Sequence, residues 1–455
     1  MQKLTIKNLG PISDCSIEIR DFMVFTGPQA SGKSTLAKSI FFFNHLKNIL
    51  FSMYQKQMAT KPLFKALNLE TSFAKKVQKV FLQSFGIGTD SKKNGTVSYY
   101  YDNGCSIVVM YESCEDGANI AVTFDDEMKR NLQKLEQMLN TNDRKDTDKI
   151  RKFIFNGIFA SDMDTVYIPA GRSMLTVLSS QVNYLYSVMD DRIRAMMDYC
   201  TQQFLENVLL LKDYFNKNYD SLLKQTLEMA DYEIDADKAK LAVEMMRDIL
   251  GGEYRAVNGE ERLYYSENYV KINYASSGQQ EAAWIVNMLF YYMLGKRKTF
   301  FIVEEPESHL FPETQKAVVE LISLVKNGSN KVLITTHSPY ILGSINNLLY
   351  AKKISNDNNK DRIEKIIPSD IWLDYDAVAA YFLENGKLED IKDDEFADAE
   401  DILSTELIAY TSFYRIVPGK VRTQELESAE YSHLLKKVGN KRLKCQSKIL
   451  EDTLF

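Results

Sequence analysis

The stretch GPQASGKST, residues 27–35, follows the apolar run Phe22–Phe25 and precedes apolar residues at helical spacing. It fits the pattern G-x-x-x-x-G-K-[ST], whose glycines let backbone N–H groups turn towards phosphate oxygens. A helix that begins near Lys33 directs the positive end of its dipole at the same anion. This strand–loop–helix order predicts a triphosphate site at the edge of a parallel α/β sheet.

Each residue type in this loop has a chemical use. We expect Lys33 to place a positive charge at the β- and γ-phosphates, and Ser34 to offer its hydroxyl to Mg²⁺. The predicted nucleotide-binding residues of the loop are Gly27, Pro28, Gln29, Ala30, Ser31, Gly32, Lys33, Ser34 and Thr35.

The bulk properties of the chain exclude several classes of protein. Its 455 residues are too many for one ordinary core, so two or three structural units are expected. The net charge of −6 argues against a generally basic nucleic-acid-binding surface. No signal-peptide pattern and no apolar stretch of membrane-spanning length occurs, and the five cysteines form no C-x-x-C pair. We therefore expect a cytoplasmic protein that does not enter a membrane.

The order of patterns along the chain predicts four regions. Residues 1–172 contain the phosphate loop, a β-hairpin signal at Asn103-Gly104 and charged helices, and residues 253–350 return to an α/β pattern. Between them, residues 173–252 lack Gly and Pro until Gly251, which predicts helices that form either a projecting arm or a packed subdomain. Residues 351–455 are predicted to form an α/β extension with a hairpin at Asn385-Gly386 and a basic tail.

Three further stretches complement the phosphate loop. SSGQQE, residues 276–281, opens an amphipathic helix and offers another anion cradle. The strand FFIV ends in Glu304 and Glu305, where α/β sheets place ligands, so Glu304 is expected to hold Mg²⁺ and Glu305 to activate water. KVLITTHSPYIL is a strand that ends in His337, which lies one strand–helix–strand unit after Glu305 and is positioned to reach the γ-phosphate.

Together these stretches resemble the head of ABC-type ATPases, and more closely the RecF/OLD-like branch of AAA family ATPases. The E-P-E-x-H-L-x-P continuation at residues 305–312 and YIPAGRSM at residues 167–174 carry the closer resemblance. It covers roughly residues 1–60, 160–175 and 260–345. It implies an α/β fold: an ABC-type P-loop NTPase head with a mostly parallel core sheet, an antiparallel β subdomain and an inserted helical arm or subdomain.

The resemblance also implies how the site works. ATP and Mg²⁺ are the implied cofactors, Glu305 and His337 are the catalytic residues, and Arg172 senses phosphate. A signature made of Ser276, Ser277, Gly278 and Gln279 completes the site of a second subunit. Two heads would sandwich ATP as a homodimer or within a higher homo-oligomer. One departure is Glu304, which stands where the family usually has Asp and would shift the carboxylate outward.

The wider function stays open between two alternatives. The chain resembles stand-alone ATPase subunits of bacterial anti-phage systems such as Septu and PARIS, which implies a separately encoded nuclease or toxin as partner. The alternative is a RecF-like DNA-repair ATPase, for which a basic tail could contact nucleic acid or form a solvated helix. That tail contains Lys436, Lys437, Lys441, Arg442, Lys444 and Lys448.

A nuclease domain within this chain is disfavoured. Asp374 and Asp376 have the spacing of a metal-binding D-x-D, but no strand that ends in Glu at a glycine-rich turn accompanies them. A transporter ATPase is disfavoured by the E-P-E-x-H-L continuation.

Overall fold

The computed structural model describes residues 1–59, 68–86, 94–114, 117–140, 146–174 and 197–392. The basic tail and most of the acidic run at residues 389–401 lie outside these ranges, as does the first part of the predicted helical region. No helix within the described ranges is long and apolar enough to cross a bilayer.

A six-stranded, mostly parallel sheet forms the centre of the molecule. Its order is β14-β13-β3-β12-β11-β7, and only β14 runs antiparallel to its neighbour. β3 and β11 are buried along their whole length, as expected for parallel strands with both faces covered. The strands are β3 Phe22–Thr26, β7 Asp164–Ile168, β11 Thr299–Glu304, β12 Lys331–Thr336, β13 Val378–Glu384 and β14 Lys387–Asp390.

Two smaller antiparallel sheets accompany it. A five-stranded sheet has the order β2-β1-β4-β5-β6, and its β4–β5 hairpin turns at the predicted Asn103-Gly104 pair. Its strands are β1 Lys3–Leu9, β2 Ile12–Glu18, β4 Gly95–Tyr100, β5 Ser106–Cys114 and β6 Gly117–Phe124. A three-stranded sheet precedes the predicted signature and contains β8 Glu253–Val257, β9 Glu260–Tyr265 and β10 Asn268–Lys271. The predicted α/β class, with a parallel core and an antiparallel β unit, is confirmed.

Helices connect these strands, and most begin at a side chain that accepts from a backbone N–H of the first turn. Asp125, Asn218 and Asp235 are examples of such caps. The helices are α1 Lys33–Ala59, α2 Leu69–Phe85, α3 Asp126–Leu139, α4 Thr147–Lys152, α5 Tyr199–Lys212, α6 Tyr219–Met229, α7 Ala236–Leu250, α8 Ser277–Met293, α9 Pro312–Asn327, α10 Pro339–Ile354 and α11 Lys360–Glu364. A π-helix over Phe153–Ile158 follows α4 directly.

The parallel sheet separates two hydrophobic cores. Along β3, Phe22 and Val24 face one core while Met23 and Phe25 face the other, because successive strand residues point to opposite faces. The first core also contains apolar residues of α5–α9, so these helices share one core with this face of the sheet. The second lies between the sheet, α1 and the five-stranded sheet. The carboxyl ends of the parallel strands thus form one rigid edge on which the candidate site is built.

Candidate nucleotide site

The phosphate loop joins β3 to α1 in a conformation that few residues adopt. Gly27 has φ +140°, Ala30 has φ +61° and Gly32 has φ +112°. Such a backbone turns successive N–H groups towards one point, which makes a concave anion cradle. The hydroxyl of Ser31 is buried and finds no hydrogen-bond partner among the described residues, as expected for a group in a site built to receive a ligand.

Gly27 and Gly32 are required by close contacts as well as by φ. A Cβ on Gly27 would collide with the carbonyl oxygen of Leu383 in β13, and one on Gly32 would lie 2.9 Å from Cγ1 of Ile12. The loop is therefore wedged between the β1–β2 turn and the C-terminal hairpin, so both ends of the described chain help to shape it.

Lys33 begins α1 and is almost fully buried, with 5% of its surface exposed. Its ammonium donates to the carbonyl oxygens of Gly27 and Pro28, both at 2.8 Å. Burial lowers the pKa of Lys33 to about 8, although Glu305 and the neighbouring carboxylates oppose this shift. Ser34, the next residue in the first turn of α1, is exposed, so a ligand can reach its hydroxyl.

The predicted carboxylates lie where β11 ends. Glu304 is the last strand residue and is buried; its Oε1 finds no hydrogen-bond partner among the described residues. Glu305 follows with φ +40°, a strained value for a residue with a side chain, and its N–H donates to the Thr335 carbonyl at 2.9 Å. The hydrogen bond across to β12 holds Glu305 in this orientation.

The side chain of His337 lies between Glu305, at the end of β11, and Lys33 of the phosphate loop. Its Nε2 lies 3.0 Å from Oε1 of Glu305, and its Nδ1 lies 3.3 Å from Nζ of Lys33. A neutral imidazole with its proton on Nε2 satisfies both contacts, since Nδ1 then accepts from the ammonium. The hydrogen bond from His337, together with the charge of Lys33, lowers the pKa of Glu305, which is therefore ionised at neutral pH.

The predicted signature forms the start of α8. Ser276 caps the helix in a capping box with Gln279, and the Gln279 side chain also donates to the Leu250 carbonyl at 2.8 Å. A Cβ on Gly278 would lie 2.7 Å from the carbonyl oxygen of His309, so the helix start packs tightly against the segment after β11. Ser277, the first helical residue, is exposed.

Arg172 lies just after β7 and is fully buried. Its guanidinium donates to the carbonyl oxygens of Pro169, Glu304 and Glu305, and it forms an ion pair with Glu281 in α8. Burial lowers the pKa of Arg172. In this structure the side chain contacts the backbone behind the carboxylates, so a direct contact with phosphate stays a prediction.

A model of the protein family described as AAA ATPase domain matches residues 1–342. The chain belongs to the AAA ATPase domain family. All of the predicted site residues lie within the matched part, whereas the β13–β14 hairpin that contacts the phosphate loop follows it. Comparison with curated proteins gives no match.

This ATPase-family chain is also similar to solved structures of Smc heads. One, an Smc head bound to the C-winged helix domain of ScpA, shares 11% identity with a TM-score of 0.40, over 87% of this chain and 98% of that one. An Smc head with an extended coiled coil bound to the C-terminal domain of ScpA, derived from Pyrococcus furiosus, shares 12% identity with a TM-score of 0.39, over 86% of this chain and 97% of that one. An SMC head from Thermotoga maritima shares 11% identity with a TM-score of 0.34, over 86% of this chain and 98% of that one.

Two residues of this ATPase domain were not assigned a role from the sequence. Glu307 accepts from the hydroxyl of Thr336 and from the N–H of His337, both at 2.7 Å, and so fixes the backbone that carries the histidine. Glu281 pairs with Arg172 from the second turn of α8. Glu307 belongs to the E-P-E-x-H-L-x-P stretch, but only the fold reveals the contacts of either side chain.

Asp374 and Asp376 belong to a turn before β13. Asp374 accepts from the N–H of Asp376 at 2.9 Å, so the pair closes the turn. Within the part of the chain that the structure describes, no three Asp, Glu, His or Cys side chains gather as a metal cage.

Proposed function

We propose that this chain is an ABC-type ATPase head of the RecF/OLD-like kind, which binds ATP with Mg²⁺ and hydrolyses it. The observation that carries this proposal is the series of contacts from Lys33 through His337 to Glu305. It joins the phosphate loop to the two neighbouring strand ends with N···N and N···O distances of 3.3 and 3.0 Å. A cation, a proton-carrying imidazole and an ionised carboxylate thereby converge where a γ-phosphate is expected.

The phosphate loop would bind the triphosphate through backbone N–H groups of residues 27–35. Lys33 at present donates to two carbonyl oxygens of the loop, and a bound triphosphate offers its ammonium stronger, charged acceptors. Burial keeps the ammonium partly desolvated, so its transfer to phosphate costs little further dehydration.

The residues present fit a magnesium ion. Glu304 has a buried carboxylate oxygen without a partner among the described residues, and Ser34 has an exposed hydroxyl. Mg²⁺ is commonly held by one or two protein oxygens together with phosphate oxygens and waters, so no larger cage is needed. When bound, the ion would neutralise charge on the β- and γ-phosphates.

Glu305 is proposed as the general base for the attacking water. It is already ionised, but one of its oxygens is held by His337 in this structure. A γ-phosphate oxygen would attract the Nε2–H of His337 and so free the Glu305 carboxylate to accept a proton from water. His337 would then report the presence of the γ-phosphate to Glu305.

The signature residues Ser276, Ser277, Gly278 and Gln279 are proposed to act on the nucleotide of a second copy of the chain. Support comes from the exposed Ser277 at the N-terminus of a 17-residue helix, because the capping box uses the N–H groups of Ser276 and Gln279 but not that of Ser277, which can donate to an anion. ATP would then stabilise a pair of heads, as a homodimer or within a larger homo-oligomer, because the pair binds ATP better than the separate heads do.

We further propose a role in bacterial anti-phage defence, where the head pair controls a separately encoded nuclease or toxin. Support comes from the resemblance to stand-alone subunits and from the position of Asp374 and Asp376, which close a turn. Direct DNA binding, as in RecF-like repair, is the alternative outcome of the experiment that follows.

Measurements of ATP turnover and assembly test this proposal together. The wild-type chain is expected to hydrolyse ATP with Mg²⁺ and to form ATP-dependent pairs in mass photometry, whereas Lys33→Ala should do neither. Lys38→Ala is a control on the same helix, because Lys38 pairs with Asp198. Wild-type affinity of Lys33→Ala for a fluorescent ATP analogue would contradict the site. Turnover that rises several-fold with duplex DNA would favour the RecF-like alternative.

A further inference from the structure

We infer that Arg172 is a positioning residue, which joins the signature helix α8 to the backbone that carries Glu304 and Glu305. This inference rests on the proposed ATPase function and deepens it. It assigns to Arg172 a role behind the carboxylates, on the side away from the nucleotide, in place of a direct contact with phosphate.

The contacts of Arg172 define three fixed points. Nη1 donates to the Glu304 carbonyl at 2.7 Å and to the carbonyl of Pro169, while Nη2 donates to the Glu305 carbonyl at 3.0 Å. Nε donates to the carbonyl of Glu281 at 3.1 Å and lies 3.2 Å from its Oε2. One planar guanidinium therefore connects the ends of β7 and β11 to the second turn of α8.

Glu281 also binds the backbone of the segment that carries Arg172. Its carboxylate accepts from the N–H of Arg172 at 3.0 Å and from the N–H of Ser173 at 2.9 Å. The side chains of Arg172 and Glu281 are 0% and 1% exposed, so their charges are shielded from water. A buried charge that loses its partner is costly, and movement of α8 away from β11 would separate this pair.

Arg172 and Glu281 connect the start of α8 to the backbone of Glu305. The signature begins at Ser276 and Glu281 lies one turn later on the same helix, while the Glu305 carbonyl is part of the strained residue whose side chain contacts His337. A pull on the helix start by a partner's nucleotide would reach the Glu305 backbone through Arg172. The two ATP sites of a head pair would then hydrolyse with positive cooperativity.

A lysine in place of Arg172 could not make the contacts of the guanidinium. Its single ammonium carries the charge but has no planar fork, so it cannot reach the carbonyls of both strand ends and Glu281 at once. Arg172→Lys therefore preserves charge and most of the volume while it removes the connection. Glu281→Gln is the second variant, because it keeps the shape of the side chain and removes the ion pair.

The chain offers a matched control in the buried pair of Lys212 and Glu261. Their N···O distance is 3.2 Å, with exposures of 6% and 1%, and Glu261 also accepts from the indole N–H of Trp284 in α8. Glu261→Gln thus weakens a similar buried ion pair, between α5 and β9, that touches α8 through Trp284 and includes no residue of β11.

The experiment combines three measurements on the full chain and its variants. For Arg172→Lys we expect kcat to fall at least tenfold, the Kd for a fluorescent ATP analogue to stay within about twofold, and the Hill coefficient for ATP to fall towards 1. Hydrogen exchange should rise in peptides that cover residues 276–284 and 300–310 together. Glu261→Gln should raise exchange only in the first peptide and keep the Hill coefficient.

Each result decides between roles. A Kd raised tenfold or more in Arg172→Lys, with kcat and exchange unchanged, would show a phosphate contact and overturn the inference. Unchanged kcat, Hill coefficient and exchange in both Arg172→Lys and Glu281→Gln would also overturn it. If the wild type hydrolyses no ATP, the proposed function fails, and the exchange of residues 300–310 still decides whether Arg172 holds that backbone. Should Arg172→Lys not fold, Glu281→Gln gives the same comparisons.

Discussion

Replacement of Glu305 by Gln separates ATP binding from ATP turnover. The amide has the shape of the carboxylate and can still contact Nε2 of His337, now 3.0 Å from the carboxylate oxygen, but it cannot accept the proton of the attacking water. We expect Glu305→Gln to bind ATP, to hydrolyse it very slowly and to accumulate as closed pairs of heads.

The magnitudes follow from the position of Glu305. Loss of a general base typically lowers the rate about 10²- to 10⁴-fold, which corresponds to roughly 3–5 kcal/mol of activation free energy. One negative charge fewer beside the triphosphate should tighten ATP binding by on the order of 1 kcal/mol, about fivefold. The contact with His337 is one-third exposed on both sides and the amide can retain it, so the substitution should cost at most about 1 kcal/mol of folding free energy.

The assay is phosphate release at saturating ATP, followed alongside mass photometry with and without ATP. Glu304→Gln is the informative comparison, because loss of the proposed magnesium ligand should weaken binding of Mg²⁺·ATP as well as turnover. Normal hydrolysis by Glu305→Gln combined with a loss in Glu304→Gln would show that the two carboxylates have the opposite roles. Fewer ATP-dependent pairs in Glu305→Gln than in the wild type would refute the account of head closure.

Three further predictions test other parts of the molecule. In Gly278→Ala the new Cβ lies 2.7 Å from the carbonyl of His309, so ATP-dependent pairing in mass photometry should fall at least tenfold while nucleotide binding persists. Burial lowers the pKa of His45 to about 3, so the folded state stays neutral while the unfolded chain takes up a proton below about pH 6.5, and stability is lost as the pH falls towards 3. Urea denaturation measures the drop in the free energy of unfolding between pH 7 and pH 4.5. This drop should be smaller in His45→Phe than in the wild type, by up to about 3 kcal/mol. Purified wild type should cut neither DNA nor RNA with Mg²⁺ or Mn²⁺, and cleavage that disappears in Asp374→Ala/Asp376→Ala would contradict an external effector.

Local patterns in the sequence predict the elements well. The hairpin turns at Asn103-Gly104 and Asn385-Gly386 form as expected, and the helix between Glu305 and His337 connects two parallel strands. Each of these features depends on residues close together in the chain, where turn chemistry and periodicity are informative. The same applies to the phosphate loop, whose glycines take the positive φ values that its pattern requires.

Contacts between distant segments were beyond the reach of these patterns. No local signal reveals that β13 pairs with β3, or that the carbonyl of Leu383 approaches Gly27. Arg172 illustrates the same limit, because its motif suggested a functional arginine while the direction of its guanidinium depends on the packing of α8 against β11. The order of strands and the contacts of buried charges are decided by tertiary packing, which one-dimensional periodicity does not encode.

The position of β3 in the sheet has a consequence for how the chain is made. β3 ends at residue 26, whereas its sheet neighbours β12 and β13 begin at residues 331 and 378. At roughly 5–20 residues per second, the ribosome needs about 15–60 s after β3 to supply the first neighbour. Through that interval both edges of a strand that is apolar except for Thr26 lack their native partners, which is a hazard for aggregation. The phosphate loop has its native surroundings only when Leu383 of β13 lies beside Gly27, so the nucleotide site cannot be complete before β13 has been synthesised and has paired with β3.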